Sequence, residues 1–256
     1  MDLLAWASDP ILRHNGSSGG FIRAMTLHLL ETGKIDQMLL TRTGPREGPF
    51  MPDCVATNDV LEITSERSTS VYYPTDPFFN VLDPNLTYAI TLLPCQVETL
   101  RKKQTRGEWL NVFYVFELLC GFMPTPNWTL KLCDDFQAVN PSRLVYREGK
   151  WPGNFSIDGR STEYPKLWPK IGEYGMPKCQ KCTRLYGESD WLCADPWGLP
   201  PEEVGEGKTL VRANTLQARI LINEARLGQV IQTEPDNSLL QVRLKKHRRT
   251  KCLNQS

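Results

Sequence analysis

Apolar residues recur at helical spacing from Phe21 through Ile22, Met25, Leu29 and Leu30, after the polar run HNGSSGG and before Gly33. Spacings of three and four place one face of a helix on a core. The pattern therefore predicts a helix from about Gly20 to Thr32, entered from a glycine-rich loop and stopped at Gly33. QMLLTRT, Gln37 to Thr43, predicts a strand, TGPREGPFMPD a loop, DCVATN another strand and DVLEITSERS a short helix. STSVYYPTDPFFNVLDPN is irregular, broken by Pro74, Pro77 and Pro84. Leu86 to Leu93 reads as a buried strand stopped by Pro94, and VETLRKKQTRG as a helix opening just after Cys95. NVFYVFELLC is a continuous apolar run, as in a strand covered on both faces, and it ends at Cys120. WTLKLCDDFQAV predicts a helix with Asn127 as its N-cap.

Strands alternating with helices up to residue 139 predict an α/β fold with a mixed, mainly parallel sheet flanked by helices. From about residue 140 the chain becomes aromatic and punctuated by Gly and Pro. LVYREGKWPGNFSIDGRSTEYPKLW predicts short antiparallel strands, in a smaller irregular β-rich C-terminal part that carries a C-x-x-C pair. TLQARILINEARLG predicts a helix stopped at Gly228. The division expected is 1–139 as an α/β part, 140–240 as a β-rich part and 241–256 as a basic flexible tail.

The net charge of +1, with 40 % hydrophobic and 23 % charged residues, gives no field that favours nucleic acid. No run approaches the ~20 apolar residues of a membrane span. The opening MDLLAWASDP lacks the basic start and unbroken apolar stretch of a signal peptide, so a cytoplasmic location is expected. In a reducing compartment, eight cysteines point to metal or redox chemistry rather than disulfides. Isolated cysteines are ordinarily small buried apolar residues; Cys54, Cys133 and Cys193 are read so, and Cys252 as a tail residue.

Cys179-Gln180-Lys181-Cys182 is the C-x-x-C pair. Its spacing suits half a zinc site, a thioredoxin-like redox pair or part of an iron–sulfur site. Cys95 and Cys120 each stand at a strand end, one beside Pro94 and the other beside Gly121, and ligands collect beyond strand carboxyl ends in open α/β sheets. With the C-x-x-C they make four thiolates, the number that suits a cubane cluster. The loop Asn15-Gly16-Ser17-Ser18-Gly19-Gly20, at a helix start, has the makings of an anion site. Asp195-Pro196-Trp197-Gly198 and the following GEGKTLVRANT, with Lys208 and Arg212, suit ribose and phosphate groups or a plain surface turn.

These constellations, in this order, resemble the beta subunit of coenzyme F-420-reducing hydrogenase and its relatives. That family includes deazaflavin-linked dehydrogenase subunits and reductases of chlorophyll intermediates, among them the 7-hydroxymethyl chlorophyll a reductase group. The resemblance is carried by SSGGFIRAMTLHLLETGKIDQMLL, LLPCQVETLRK, FELLCGFMP, YREGKWPGNFSI and KCQKCTRLYGESDWLCADPWG. It implies FAD beside one [4Fe-4S] cluster held by Cys95, Cys120, Cys179 and Cys182. The flavin would lie against Ser17, Ser18, Gly19 and Gly20, the segment bearing Ser68, Ser70 and Tyr72, then Pro94 and Gln96, and the loop of Asp195 and Trp197, with Lys208 nearby. Glu98, Tyr72 and Lys208 are the acid–base candidates. The chain has no C-x-x-C-x-x-C ferredoxin run, so the resemblance implies electron exchange with ferredoxin or another iron–sulfur subunit in a hetero-oligomer, and hydride exchange with a small molecule, a deazaflavin or a nicotinamide. ADPWG departs from the family pattern, and residues 216–256 show no match. Two alternatives stand beside this reading: a cluster-bearing electron-transfer or scaffold subunit with no substrate of its own, and a zinc-stabilised binding module.

Overall fold

The computed structural model describes residues 1–44, 51–167, 171–236 and 238–253, without the side chains of 51 and 247–253. Its main sheet has eight strands in the order β11-β1-β10-β9-β5-β4-β2-β3. They are β1 (Asp2–Ala7), β2 (Gln37–Gly44), β3 (Met51–Thr57), β4 (Tyr88–Leu92), β5 (Val112–Leu118), β9 (Trp191–Ala194), β10 (Thr209–Ala213) and β11 (Ile231–Pro235). Pairing is parallel from β2 through β4 and β5 to β9, and antiparallel at both ends of the sheet. The expected α/β fold with a mixed sheet is present, but among the described residues the sheet is not mainly parallel: its parallel pairs are gathered in the middle and antiparallel pairs outnumber them.

Period-two alternation divides the strand residues between two faces. Leu3, Ala5, Met38, Leu40, Trp191, Cys193 and Val211 face one core. That core is covered by α2 (Phe21–Glu31) and α8 (Leu216–Leu227) through Phe21, Met25, Leu29, Leu221 and Ile222. On the opposite face α4 (Pro94–Gln104) brings Val97 and Leu100 onto Leu39, Ile90 and Val115. Further along that face α9 (Leu239–Leu253) sets Leu240 and Leu244 on Leu4, Trp6, Leu192 and Leu210. A second, three-stranded antiparallel sheet of β6 (Leu144–Glu148), β7 (Asn154–Ile157) and β8 (Arg160–Glu163) packs on α5 (Pro126–Asp135), as the alternation after residue 140 predicts.

Several local expectations are corrected. Thr125, not Asn127, is the N-cap of α5, because Pro126 occupies the first helical position, where its missing N–H costs nothing. Helix α4 takes in Cys95 by starting at Pro94 for the same reason. GKTLVRA is not an open loop but leads into β10, where Arg212 forms a bidentate pair with Asp2 of β1 at 2.7–2.8 Å. Of the tail expected to be flexible over 241–256, residues 241–253 lie in α9, whose first turn is capped by both carboxylate oxygens of Asp236, and 254–256 lie outside the described residues. Of the loop expected over TGPREGPFMPD, 45–50 lie outside the described residues and Met51 already belongs to β3.

Candidate functional site

Adjacent parallel strands end on one edge of a sheet, and β4, β5 and β9 are such neighbours. Cys95 follows β4, Cys120 follows β5 and Asp195 follows β9. Three residues singled out from the sequence, from segments far apart in the chain, thus share one edge. The C-x-x-C is drawn to the same edge by backbone bonds. Thr125 N–H donates to Tyr174 O at 2.6 Å and Met176 N–H to Met123 O at 2.8 Å, so the chain before Cys179 runs against the chain after Cys120. Cys179 lies in the single-turn helix α6 (Pro177–Gln180), and the Cys182 amide bonds its carbonyl at 3.2 Å. A helical turn at the pair differs from the loop expected, although among the described residues no strand leads into it as in a thioredoxin.

Cys95 is exposed, while Cys120, Cys179 and Cys182 are half-buried. Partial burial raises the Cys95 pKa, Lys178 opposes this, and the neighbouring Cys182 and Cys179 add to it. The Met123 N–H points at Cys179 Sγ over 3.5 Å, an amide placed to bond a thiolate. Among the described residues no three His, Cys, Asp or Glu side chains converge on a single metal ion. A cubane instead takes one thiolate per iron. Four soft sulfur donors at one sheet edge, one already facing an amide, fit that group in kind. Cys133 faces Trp128 and Leu144 in the smaller core, and Cys193 is enclosed in the sheet, where burial pushes its thiol far up.

The second half of the site is organised by a residue the sequence reading missed. Arg147 of β6 has a side chain only 1 % exposed. Its guanidinium donates to Asp195 Oδ2 at 2.7 Å, to Ser17 O at 2.7 Å and to Pro152 O at 3.0 Å. It also lies 4.8 Å from the ring centre of Tyr164, which stacks on Tyr72. Asp195 also accepts from Trp197 Nε1 at 3.2 Å, and Trp197 packs on Trp151 at 4.7 Å. Ser17 Oγ accepts from the Ser70 amide at 3.1 Å. One cation therefore ties together the glycine loop, the Ser70–Tyr72 segment and the Asp195–Trp197 loop. The sequence signal was faint: an arginine inside the apolar start of a strand reads as an exposed position.

Other expected contacts are placed differently. Ser68 turns its hydroxyl to Glu62 O at 2.8 Å, and Gln96 bonds Leu93 N and Thr75 O, closing the start of α4 behind Pro94. Lys208 meets Ser18 Oγ through its carbonyl, while its ammonium pairs with Glu234 at 2.6 Å over the Trp6 ring. Glu98 bonds Arg184 and Lys102, which hold its pKa down to about 2, too acidic for proton transfer near neutrality. Gly20, the N-cap of α2, offers no side-chain acceptor to the helix amides. That uncapped start, joined through Ser17 to Arg147, fits an anionic group such as a pyrophosphate.

The family described as coenzyme F420 hydrogenase/dehydrogenase, beta subunit, matches through its N-terminal part over residues 3–83 and its C-terminal part over residues 86–238. The chain belongs to this family. It is 24 % identical to the beta subunit of F420-dependent formate dehydrogenase 1 of Methanococcus maripaludis, over 93 % of this chain and 63 % of that protein. It is also 24 % identical to the corresponding beta subunit of Methanocaldococcus jannaschii, over 95 % of this chain and 64 % of that one. The chain thus spans somewhat under two thirds of each relative's length. A chain of the F420-reducing [NiFe] hydrogenase complex of Methanosarcina barkeri shares the fold, with a TM-score of 0.76 and 18 % identity over 98 % of this chain and 89 % of that one. Among the described residues no helix is long and apolar enough to cross a membrane.

Proposed function

We propose that this chain is a redox subunit that binds one [4Fe-4S] cluster through Cys95, Cys120, Cys179 and Cys182, and FAD beside it. The observation that carries the reading is the shared carboxyl edge of β4, β5 and β9, which brings Cys95, Cys120 and Asp195 together. Family membership supports it. When bound, a flavin supplies hydride exchange and a cubane supplies one-electron exchange. The small-molecule partner is an organic substrate, a deazaflavin or a nicotinamide, and the one-electron partner is a ferredoxin or another iron–sulfur subunit in a cytoplasmic hetero-oligomer. Residues 1–139 contribute the glycine loop, Cys95 and Cys120; residues 140–240 complete the site with Arg147, the C-x-x-C and Asp195.

The chain's own residues have definable tasks. Arg147 fixes Ser17 and Asp195 against each other, so the loops cannot drift apart without leaving a buried charge unpaired. Trp197 orients Asp195 by donating its indole N–H to Oδ2 while packing on Trp151. The Met123 amide lowers the cost of negative charge on Cys179 Sγ. A second reading, a cluster-bearing subunit without flavin, draws on Gly19. The Gly207 backbone fills the space its side chain would take, which explains that glycine without a ligand.

Anaerobic purification with assays of iron, sulfide and released flavin tests both readings. We expect about four irons with one FAD; iron and sulfide without flavin favour the second reading, and zinc in their place refutes both. Cys95→Ser should lose the iron and sulfide, because metal binding is coupled to folding. Cys133→Ser should retain them, and loss there would show the ligand set to be wrong.

A further inference from the structure

A groove of about 320 Å³ runs between α4 and residues 184–188, the segment that follows the C-x-x-C. Helix α4 lines it with Pro94, Glu98 and Lys102, four residues apart and so on one face. The next residue after Pro94 is Cys95, which is exposed. Arg184, Tyr186 and Glu188 line the other wall. Both walls are fixed. Gly187 N–H donates to the buried Glu117 carboxylate at 2.6 Å, and Arg101 Nε to Glu188 O at 2.8 Å. A Cβ on Gly187 would come 2.8 Å from Val97 Cγ1, so the segment is seated directly on α4. A surface held in this way meets a partner without rearranging.

The chain as a whole has a net charge of only +1, yet positive charge gathers here. Glu98 stands between two cations, bonding Lys102 at 2.6 Å and Arg184. Lys178 and Lys181, both exposed, flank Cys179. The side chains of Lys102 and Arg184 are 66 % and 46 % exposed, so the cations form a rim instead of an enclosed pocket. Tyr186, 49 % exposed, offers an aromatic surface among them. Arginine and tyrosine are the residues on which protein interfaces most often anchor.

We propose that this groove, with the lysines of the C-x-x-C, is the docking surface for the acidic face of a small one-electron carrier protein of the ferredoxin class. The choice of occupant rests on the function proposed above, with Cys95 as the cluster ligand nearest the carrier. Redox encounters use small interfaces, and opposite charge speeds their formation more than it tightens them.

The test uses the full chain, purified anaerobically, and a fluorescently labelled acidic [2Fe–2S] ferredoxin. Anisotropy gives the affinity and requires no electron transfer. Binding should be saturable and should weaken as salt rises from about 0.05 to about 0.5 M. Arg184→Glu and Lys102→Glu should each weaken it about tenfold at low salt, and Tyr186→Ala about fivefold at either salt. Lys34→Glu makes the same charge change ahead of β2, at the opposite edge of the parallel strands, and should bind as wild type does. Stopped-flow reduction of the cluster by the ferredoxin should slow in the Arg184 and Lys102 variants, while reduction by methyl viologen should not. Absence of iron and sulfide from the wild type would refute the function proposed above, and the binding series would still decide the surface. Iron and sulfide present, with no saturable binding or with equal affinity in Arg184→Glu, Tyr186→Ala and wild type, would overturn the docking surface alone. Loss of iron from Arg184→Glu at unchanged affinity would overturn it too, by assigning the cations to the cluster.

Discussion

At Gly19 the backbone has φ +82°, and the carbonyl oxygen of Gly207 stands 2.6 Å from the place a Cβ would take. Gly207, at φ +139°, returns the constraint: its own Cβ would lie 2.5 Å from Gly19 N. The two glycines let two loops touch backbone to backbone. Ser18 Oγ donates to Lys208 O at 2.9 Å, and Thr209 Oγ1 bonds Ser18 O. From the sequence, the glycine run reads as room left for a ligand; in the fold much of that room is taken by the chain itself. Gly19→Val should therefore destabilise the fold by about 3 kcal/mol, from strain at positive φ and overpacking together. Urea denaturation in the absence of flavin checks this, and a wild-type midpoint would show that the loop yields easily. Arg147 illustrates the opposite gap: a residue without a motif whose value comes only from what surrounds it.

Among the elements, β5 carries the most chemistry. It ends toward Cys120, and from its interior Glu117 reaches the segment that leads from the C-x-x-C into β9. The Glu117 carboxylate accepts from Gly187 N and Ser189 Oγ, both at 2.6 Å, and is itself fully buried. Arg101 of α4 grips Glu188 O at 2.8 Å, so this segment is clamped from a strand and from a helix. Burial raises the Glu117 pKa above its ordinary 4.5, with the Ser189 and Gly187 bonds opposing. The folded state then binds the proton more tightly than the unfolded state. Glu117 thus costs stability as pH rises from the ordinary carboxyl range through its raised value, and the cost disappears below it. Glu117→Gln should be free of this slope. In urea denaturation the wild type should gain on Glu117→Gln as pH is lowered from about 7 toward about 5. A constant difference across that range would mean that Glu117 titrates as it does in the unfolded chain.

At the scale of the whole molecule, three helical covers close one sheet: α2 with α8 on one face, α4 and α9 on the other. Ending the chain after Asp236 removes α9 and uncovers Leu4, Trp6, Leu192 and Leu210. Leu240 and Leu244 alone contribute about 3–5 kcal/mol by burial, so the shortened chain should melt earlier and bind a hydrophobic dye. Unchanged melting would show α9 to be an accessory. The sequence by itself determined the helices at 21–31 and 216–227 and the strands leading to Cys95 and Cys120, because period, caps and spacing are local properties of the chain. It did not show that β1, β9, β10 and β11 join the same sheet as β2 to β5. Nor did it show that Arg147 is buried against Asp195. Those depend on partners that lie, for β1 with β10 and β11, more than two hundred residues away. Strand pairing and the pairing of buried charges are contacts across the chain, and tertiary packing alone chooses them.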